Sequence, residues 1–587
     1  MKVLATLLLV SLLGCAGDKP AAPDDTGGAS TPPTSGSMTA GTGGTGAGTT
    51  PTGTPPGSTG DTGPTTETGT GTGSAATETG DTAVVHTGDT APPPPPCLPR
   101  VIAHRGASAL APEDTLGALE LAFATGARMA EVDVRVAADG RAYLLHDTDL
   151  ARTTREIGPA IERSLAELQA IDAGRWHGEA WAGEHVPSLV DALLLADRYD
   201  AVLYLDLKMP AADAVVDALE TSGVGTETIH LSLGDPFQLE EFRAALPDAA
   251  ATWWGGIPET WGEPAFDADM WFDSLAAANV SAVEFDWPTV ITDERFTDYA
   301  DACRDRGLEV WTFTVNEREA MHRAVDELGL DGIETDYPGA LHDIVCEGGD
   351  GGPLPEHGML ATWSFTDGLF PAGDGSQLVA IGGLEPTVGS TTDLGLPDLP
   401  DGPAPVLRVP RPDRDSGVRV FPNAMHFELG DGLAINTWTL VIDLLRPPSA
   451  EEGWIPLIQT NHLNENDAEV YLRPGDGGLG VLEQYHGEVP VNTWHRLVVA
   501  VDTSAGDAGL MWLYIDGEPT GEVALEGGVD GRFSLNSTWA YSEALLFTDA
   551  GDFTSDVVVG SLQLHDRALT PDEAAALGGA SAAGIPE

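Results

Sequence analysis

The sequence predicts an α/β (β/α)8 TIM barrel followed by an all-β antiparallel sandwich. From Val101 to about residue 344, short β-branched or aromatic runs alternate with amphipathic stretches, an order typical of parallel α/β folds. After about residue 355 the helical periodicity stops, and strand-like runs recur between Gly, Asp, Asn and Pro turns, as in a β-sandwich. A chain of 587 residues also exceeds what one core normally spans. We therefore expect two folded units, at residues 97–346 and 356–587, joined by a short linker at 347–355.

The N-terminus has the pattern of an export signal. Lys2 precedes an apolar run at residues 3–13, which suits a signal peptide and is too short for a membrane span. The run ends in Leu12-Leu13-Gly14-Cys15, which resembles the lipobox of bacterial lipoproteins. The resemblance implies that residues 1–14 are removed, that Cys15 is lipidated, and that the exported protein is anchored in the outer membrane of the bacterial envelope, where it faces either the periplasm or the cell surface. An ordinary secretory signal cut nearby is the alternative.

Residues 15–96 are predicted to form a disordered linker. Thr, Gly, Pro and Ser dominate this stretch, and such a composition cannot build a core. A flexible chain of roughly 80 residues has a typical end-to-end distance of about 50 Å. The folded part is therefore expected to be tethered with considerable reach.

The charge balance excludes one class of partner. The chain has 28 basic and 92 acidic residues, for a formal net charge of -64. Nucleic-acid binding normally needs a basic face, so we expect no nucleic-acid partner. The same charge argues against docking on anionic lipid headgroups.

Two of the cysteines flank the predicted barrel. In an oxidising compartment Cys97 and Cys346 could form a disulfide that joins the two ends of this unit. Because connectivity cannot be read from sequence, unpaired thiols are the alternative. Cys303 lies on a predicted helix and is expected to be a buried thiol.

Charged and titratable residues lie at the ends of four consecutive predicted strands. They are His104 and Arg105 on the first strand, Glu131 and Asp133 on the second, His146 on the third, and Asp206 and Lys208 on the fourth. The carboxyl ends of barrel strands meet at one mouth, and residues two apart on a strand share a face. Burying such groups without partners would be costly. Their convergence therefore favours a functional site over a structural role.

Lysine usage supports this interpretation. Apart from Lys2 and Lys19, Lys208 is the only lysine in the chain. Its ammonium is a compact point charge, suited to a phosphate or alkoxide oxygen. We therefore expect Lys208 to bind or stabilise such an oxygen.

Seven motifs together resemble the glycerophosphodiester phosphodiesterases. In chain order they are His104-Arg105-Gly106, Pro112-Glu113-Asp114-Thr115, Glu131-x-Asp133-Val134, His146-Asp147, Leu205-Asp206-Leu207-Lys208, Trp311-Thr312-x-x-Val315-Asn316 and Asp331-Gly332-Ile333-x-Thr335-Asp336-x-Pro338. They span essentially all of residues 101–344. The resemblance implies a barrel enzyme that hydrolyses glycerophosphodiesters to sn-glycerol 3-phosphate and an alcohol.

The resemblance also implies roles for particular residues. One divalent cation, Ca²⁺ or Mg²⁺, would be held by Glu131, Asp133 and Asp206, since hard oxygen ligands suit these ions. The remaining roles are an acid-base pair of His104 and His146, charge stabilisation by Arg105 and Lys208, a pocket wall at Trp311, and a further ligand or orienting group at Glu113.

Two positions depart from the family pattern. The family usually has Asn where this chain has Asp114, and Glu where it has Asp206. The shorter Asp206 implies either a closer strand or a water that completes the metal shell.

The second unit carries four short motifs. They are Asn436-Thr437-Trp438, Asn492-Thr493-Trp494, Leu513-Tyr514-Ile515-Asp516-Gly517 and a segment that runs from Leu564 to Glu573. These motifs resemble laminin G-like, concanavalin A-like domains, which implies a jelly-roll sandwich and a possible glycan ligand. We expect the barrel to act on soluble substrates without this unit.

Two other functions stay open. One is a phospholipid-cleaving enzyme similar to the sphingomyelinases D, which share the two histidines and the carboxylates. The other is an inactive surface protein that binds carbohydrate or mediates adhesion. The complete set of His104, His146 and Lys208 argues against the inactive protein.

Overall fold

The computed structural model describes residues 98–234, 236–352, 354, 359–372, 375–413, 416–422, 434–460, 467–535, 543–550 and 554–586. The predicted signal peptide, Cys15, the linker at 15–96 and Cys97 lie outside these residues. None of the helices in the described ranges combines the length and apolar character that crossing a bilayer requires.

Nine strands form the sheet of the N-terminal region. They are β1 Arg100–Ala103, β2 Met129–Val136, β3 Ala142–Leu144, β4 Val202–Leu207, β5 Ile229–Leu233, β6 Ala250–Trp253, β7 Val280–Asp286, β8 Glu309–Phe313 and β9 Gly332–Thr335. Among the described residues, eight of them pair in parallel in the order β1-β2-β4-β5-β6-β7-β8-β9, and the pairing of β9 with β1 closes the ring. The predicted eight-stranded barrel is confirmed.

The third predicted strand is not part of this ring. β3 pairs antiparallel with β2 and forms a hairpin arm beside the barrel. Only residues 137–141 separate the two strands, whereas a parallel crossover needs a dozen or more. His146 therefore reaches the barrel mouth from a hairpin and the loop after it, and its placement at the end of a barrel strand was wrong.

Helices cover the outside of the ring. They are α1 Leu116–Ala124, α2 Leu165–Leu168, α3 Leu189–Arg198, α4 Ala212–Ser222, α5 Pro236–Ala245, α6 Ala268–Ala277, α7 Trp287–Thr292, α8 Phe296–Arg304, α9 Arg318–His322 and α10 Pro338–His342. The start of α1 is set by Thr115, whose side chain accepts from the Ala118 N–H; Ser188 caps α3 in the same way through Asp191. The helices other than α2 pack their apolar faces on the strands in one core, whereas Leu165 and Leu168 of α2 lie in a separate cluster with Tyr143 of β3.

The C-terminal region consists of antiparallel strands. They are β10 Met359–Trp363, β11 Val379–Ile381, β12 Thr387–Ser390, β13 Pro405–Val409, β14 Gly417–Val420, β15 Thr437–Leu445, β16 Ile455–Gln459, β17 Val470–Leu472, β18 Leu479–Val481, β19 Gln484–His486, β20 Trp494–Asp502, β21 Leu510–Ile515, β22 Glu518–Ala524, β23 Ala544–Leu546 and β24 Val557–His565, followed by helix α11 Pro571–Leu577. Over the described part of the chain, one sheet has the order β12-β13-β24-β15-β20-β21-β22 with β10 on β24, and the other has the order β11-β14-β23-β16-β17-β18-β19.

The two antiparallel sheets share one hydrophobic core. Leu440 and Ile442 of β15 belong to the same buried cluster as Val418 of β14 and Leu457 of β16, which lie in the other sheet. A core filled from the inner faces of two sheets defines a β-sandwich. The predicted sandwich is confirmed.

The cysteines are described in part. Cys346 is disulfide-bonded, and Cys303 is a buried free thiol, as expected. Because Cys97 lies outside the described residues, its pairing with Cys346 stays a prediction.

A buried ion pair lies within the larger sheet of the sandwich. Asp443 and Arg496 are 0% and 1% exposed, and Arg496 donates from Nε and Nη2 to the two Asp443 oxygens at 2.7 and 2.8 Å. Ser561 Oγ also donates to Asp443, at 2.8 Å. A buried charge that loses its partner is strongly unfavourable.

We predict that Asp443→Ala lowers the free energy of unfolding of the sandwich by about 3–5 kcal/mol, because Arg496 would keep its charge without a counterion. Chemical unfolding measures this change. Arg473→Ala is the matched control, since it breaks the exposed ion pair with Asp476 on the same sandwich. A loss in Asp443→Ala no larger than in the control would contradict the prediction.

Candidate active site

His104 follows β1 at the carboxyl mouth of the barrel. Its Nδ1 lies 2.6 Å from Asp336 Oδ1. Asp336 is held in turn by Asn316 Nδ2 at 2.6 Å and Ser108 Oγ at 2.8 Å. An ionised carboxylate only accepts, so Nδ1 carries the proton and Nε2 is the nitrogen that can face a ligand. Glu334 Oε1, on β9, lies 3.7 Å from this Nε2.

Three carboxylates converge beside His104. Glu131 and Asp133 lie two residues apart on β2, and Asp206 on β4 pairs in register with Asp133. One oxygen from each of the three lies within 4.8 Å of the others. The shorter side chain of Asp206 therefore reaches the cluster, because the two strands are direct neighbours.

Two cations balance these carboxylates. Lys208 Nζ lies 2.8 Å from both Asp133 Oδ1 and Asp206 Oδ2. Arg105 Nε lies 3.0 Å from Asp133 Oδ2, and the Arg105 backbone N–H donates to Glu131 Oε2 at 2.9 Å. Arg105 has a φ of 53°, the left-handed region that is uncommon outside glycine. The side chain and the backbone N–H of Arg105 thus each contact one of the two carboxylates of β2.

His146 is oriented by a second network. Its Nδ1 lies 2.8 Å from Asp147 Oδ1. Arg152 donates from Nε to Asp147 at 2.7 Å and from Nη1 and Nη2 to both oxygens of Glu113 at 2.7 Å. Glu113 also accepts from Arg105 Nη1 at 3.0 Å. Glu113 therefore joins the two guanidinium groups, which supports its orienting role and places it apart from the three clustered carboxylates.

The charges set the protonation of the site. Burial and the neighbouring Asp133 and Asp206 raise the pKa of Glu131 well above its usual range. Burial would raise the pKa of Asp133 as well, but Lys208 and Arg105 outweigh it and hold that pKa well below its usual range. Burial, together with Arg105 and Lys208, lowers the pKa of His146 to about 4. His146 is therefore neutral at pH 7.

The carboxylate cluster fits a divalent cation. Its donors are hard oxygens, the type that Ca²⁺ and Mg²⁺ prefer. Burial and the neighbouring Asp133 and Asp206 raise the pKa of Glu131 against the opposing effect of Arg105 and Lys208, and a bound cation would favour the ionised form. Glu131, Asp133 and Asp206 would hold the ion. A second group of His104, Glu131 and Glu334 also has its ligand atoms within 4.8 Å of one another.

A cavity opens at this mouth, and all of the predicted catalytic and metal residues line it. The sequence prediction missed six further lining residues: Tyr204, Ser232, Glu284, Phe313, Thr314 and Glu334. Glu284 lies on β7 and Glu334 on β9, so the rule that the carboxyl ends of barrel strands carry chemistry could have found them. Tyr204 donates to Glu284 Oε2 at 2.6 Å, and this contact joins β4 to β7 across the ring.

Trp311 is the predicted site residue that the structure places elsewhere. It is 1% exposed and packs inside the ring, with its ring centroid 5.5 Å from that of Tyr204 and 5.0 Å from that of His230. Its Nε1 donates to Glu309 at 2.9 Å. Residues two apart on a strand share a face, so Phe313 lies one step nearer the mouth and supplies the aromatic wall.

Asp114 lies behind the cluster and does not line the cavity. Its Oδ1 accepts from the Asp133 backbone N–H at 3.1 Å. Burial and the neighbouring Asp133 and Glu131 raise the pKa of Asp114 well above its usual range. This shift favours the uncharged acid, which would resemble the Asn of the family pattern in carrying no charge.

Comparison with known proteins agrees with this geometry. Residues 104–340 match the model of the glycerophosphoryl diester phosphodiesterase family. The glycerophosphodiester phosphodiesterase of Caldanaerobacter subterraneus subsp. tengcongensis is 27% identical over 255 residues, 42% of this chain and 98% of that protein. That of Bacillus subtilis is 26% identical over 279 residues, 41% of this chain and 85% of that protein.

Solved structures resemble the same region. The structure of an Oleispira antarctica phosphodiesterase in complex with the product sn-glycerol-3-phosphate is 27% identical to this chain. The alignment covers 42% of this chain and 96% of that one, with a TM-score of 0.36. On the family match, the barrel is a glycerophosphoryl diester phosphodiesterase domain. It is an enzyme domain of the phosphoric diester hydrolase class.

We predict that Trp311→Ala lowers the free energy of unfolding by about 3–5 kcal/mol, because it empties part of the barrel interior. Phe313→Ala, two residues nearer the mouth, should instead raise the KM for a phosphodiester substrate and cost less stability. Chemical unfolding and steady-state kinetics on both variants distinguish the two positions. A larger increase in KM from Trp311→Ala than from Phe313→Ala would instead support the original prediction that Trp311 forms the pocket wall.

Proposed function

We propose that the barrel hydrolyses glycerophosphodiesters to sn-glycerol 3-phosphate and an alcohol, with one bound Ca²⁺ or Mg²⁺. One observation carries this proposal. His104 and His146 both face the cavity that the Glu131, Asp133 and Asp206 carboxylates line, and each imidazole is oriented by a carboxylate on Nδ1. The family match over residues 104–340 and the names of the relatives support the same activity.

The two histidines act as an acid-base pair in this proposal. The Nδ1 contacts with Asp336 and Asp147 fix the tautomers, so each Nε2 is the atom that exchanges a proton with substrate. His104 has carboxylates near both ring nitrogens, since Glu334 lies 3.7 Å from Nε2. Burial and Arg105 lower the pKa of His104, and the Asp336 carboxylate opposes this shift. Once protonated, His104 delivers a proton from Nε2 to the leaving alcohol. His146, whose pKa is lowered by burial, Arg105 and Lys208, takes the proton of the attacking hydroxyl.

The cations of the site bind and stabilise the phosphoryl group. Lys208 and Arg105 both line the cavity and provide donors for the non-bridging oxygens. A divalent cation held by Glu131, Asp133 and Asp206 would supply further charge stabilisation at the phosphorus centre. The Glu113 contact keeps the Arg105 guanidinium in place beside these oxygens.

Hydrolysis assays on the purified chain test the proposal. Glycerophosphocholine, glycerophosphoethanolamine and a sphingolipid, each with and without chelator, distinguish the proposed reaction from a sphingomyelinase D-like one. We expect chelator-sensitive release of sn-glycerol 3-phosphate from the first two substrates. Absence of any phosphodiester cleavage would leave an inactive surface protein as the better description.

We predict that His104→Ala and His146→Ala each lower kcat by roughly 10²- to 10⁴-fold, the typical contribution of a positioned acid or base. Thermal unfolding should show that both variants remain folded. His322→Ala is the control and should keep wild-type kcat, because this half-buried histidine pairs with Asp326 and does not line the cavity. An undiminished rate in either active-site variant would refute its assigned role.

We predict that Glu131→Gln and Asp206→Asn weaken binding of Ca²⁺ or Mg²⁺ by more than the roughly 10- to 100-fold cost of losing a group that only supports a ligand. Each substitution removes a charged oxygen donor and keeps the side-chain size. Calorimetric titration measures the affinity without relying on turnover. Glu240→Gln, an exposed residue, should bind the ion as the wild type does, and equal affinity in all the variants would exclude this metal site.

The location of the protein is part of the proposal. The signal-like segment that ends in Cys15 supports export and lipid anchoring in the bacterial envelope. The sandwich, which resembles laminin G-like domains in its motifs, would hold the enzyme near a glycan. Radiolabelled palmitate incorporation that is lost in Cys15→Ser tests the anchor.

A further inference from the structure

The loop after β3 carries the side chains that orient His146. Residues 145–159 are all described and form neither helix nor strand. Asp147 contacts His146, and Arg152, which is 4% exposed, holds Asp147 and Glu113 together. Any shift of this loop therefore moves the His146 imidazole and the Arg152 guanidinium together.

The backbone of this loop is bound by the C-terminal region. Gln377 Nε2 donates to the carbonyl of Glu156 at 2.9 Å, to that of Thr154 at 3.3 Å and to that of Ala151 at 3.5 Å. Ser376 Oγ donates to the carbonyl of Arg152 itself. Both side chains are buried, with 4% and 1% of their surfaces exposed. Two neighbouring residues thus contact four carbonyls of the loop, and the two N–H groups of Gln377 are shared among three of them.

The surrounding contacts make this an extended interface. Ala151 packs in one buried cluster with Val379 and Phe421, which belong to the C-terminal region. Arg155 forms an exposed ion pair with Asp367 at 2.8 Å. The Gly375 N–H also donates to the carbonyl of Trp176, at 2.6 Å.

The segment that contacts the loop, Ser376 and Gln377, leads directly into a strand of the sandwich. Gln377 lies two residues before β11, and Val379 of β11 pairs with Arg419 of β14 in the sandwich sheet. The loop has local hydrogen bonds, such as those from the Leu150 N–H to Gly158 and from the Ala151 and Gly158 N–H groups to the Asp149 side chain, but it belongs to no sheet strand or helix. The residues that contact the loop are therefore attached to a sheet, whereas the loop itself is not part of one.

We propose that Gln377, with Ser376, is a positioning residue for the active site: it holds the 145–159 loop so that Asp147 and Arg152 orient His146. The catalytic consequence rests on the proposed function. Gln377 acts through the loop and is not a catalytic residue. It follows that removal of the sandwich lowers turnover even of soluble substrates, contrary to the expectation from the sequence.

Gln377→Met in the full chain tests the proposal, because it keeps the size of the side chain and removes both N–H donors. We expect kcat to fall about 10- to 100-fold, the cost of a small misplacement of a catalytic group, with a much smaller change in KM. Asp367→Ala removes an exposed contact of the same interface and should leave kcat unchanged. Adding Gln377→Met to Asp147→Asn should cost less than in the wild type, because both substitutions disturb one network.

Amide hydrogen exchange of the 145–159 loop gives a readout that is independent of activity. We expect faster amide exchange there in Gln377→Met, with β20 of the sandwich unchanged. Wild-type exchange, or faster exchange with wild-type kcat, would overturn the inference. A wild-type chain that cleaves no glycerophosphodiester would overturn the proposed function alone, since faster exchange in Gln377→Met would still establish that Gln377 holds the loop.

Discussion

The buried charge cluster at the barrel mouth is the constraint on which the rest of the site depends. Glu131, Asp133 and Asp206 can be buried together only because Lys208 and Arg105 lie within 3.0 Å of them. Burial of carboxylates without such partners would cost several kcal/mol each. Burial and the neighbouring carboxylates still raise the pKa of Glu131 well above its usual range. A cation bound between the three carboxylates would oppose this shift.

The fold brings these charges together in two different ways. The parallel ring places β1, β2 and β4 side by side, so residues at their carboxyl ends become neighbours without further support. His146 arrives from outside the ring, on the loop that follows the β2–β3 hairpin. A loop has more freedom than a barrel strand, and this difference explains the long hydrogen-bonded series from Asp147 through Arg152 to Glu113.

The same difference connects the sandwich to the chemistry. A loop that needs external support can take it from any neighbouring surface, and here Ser376 and Gln377 provide it. The C-terminal region is then more than a module that brings the enzyme to a surface. Its packing contributes to the geometry of the active site, because the buried carbonyls of the loop have their donors there.

Local pattern in the sequence determined the barrel, the sandwich and the charged residues at the mouth, because strand alternation and strand-end position need no long-range information. It also singled out Lys208 by composition alone. The tertiary structure decided what depends on pairing: β3 turned back on β2, Trp311 entered the barrel interior, and Glu284 and Glu334 joined the cavity wall. It also decided that Gln377, more than 200 residues along the chain from the loop, supports His146. Contacts over such separations are set by packing between units, which leaves no periodic or compositional signal in the sequence.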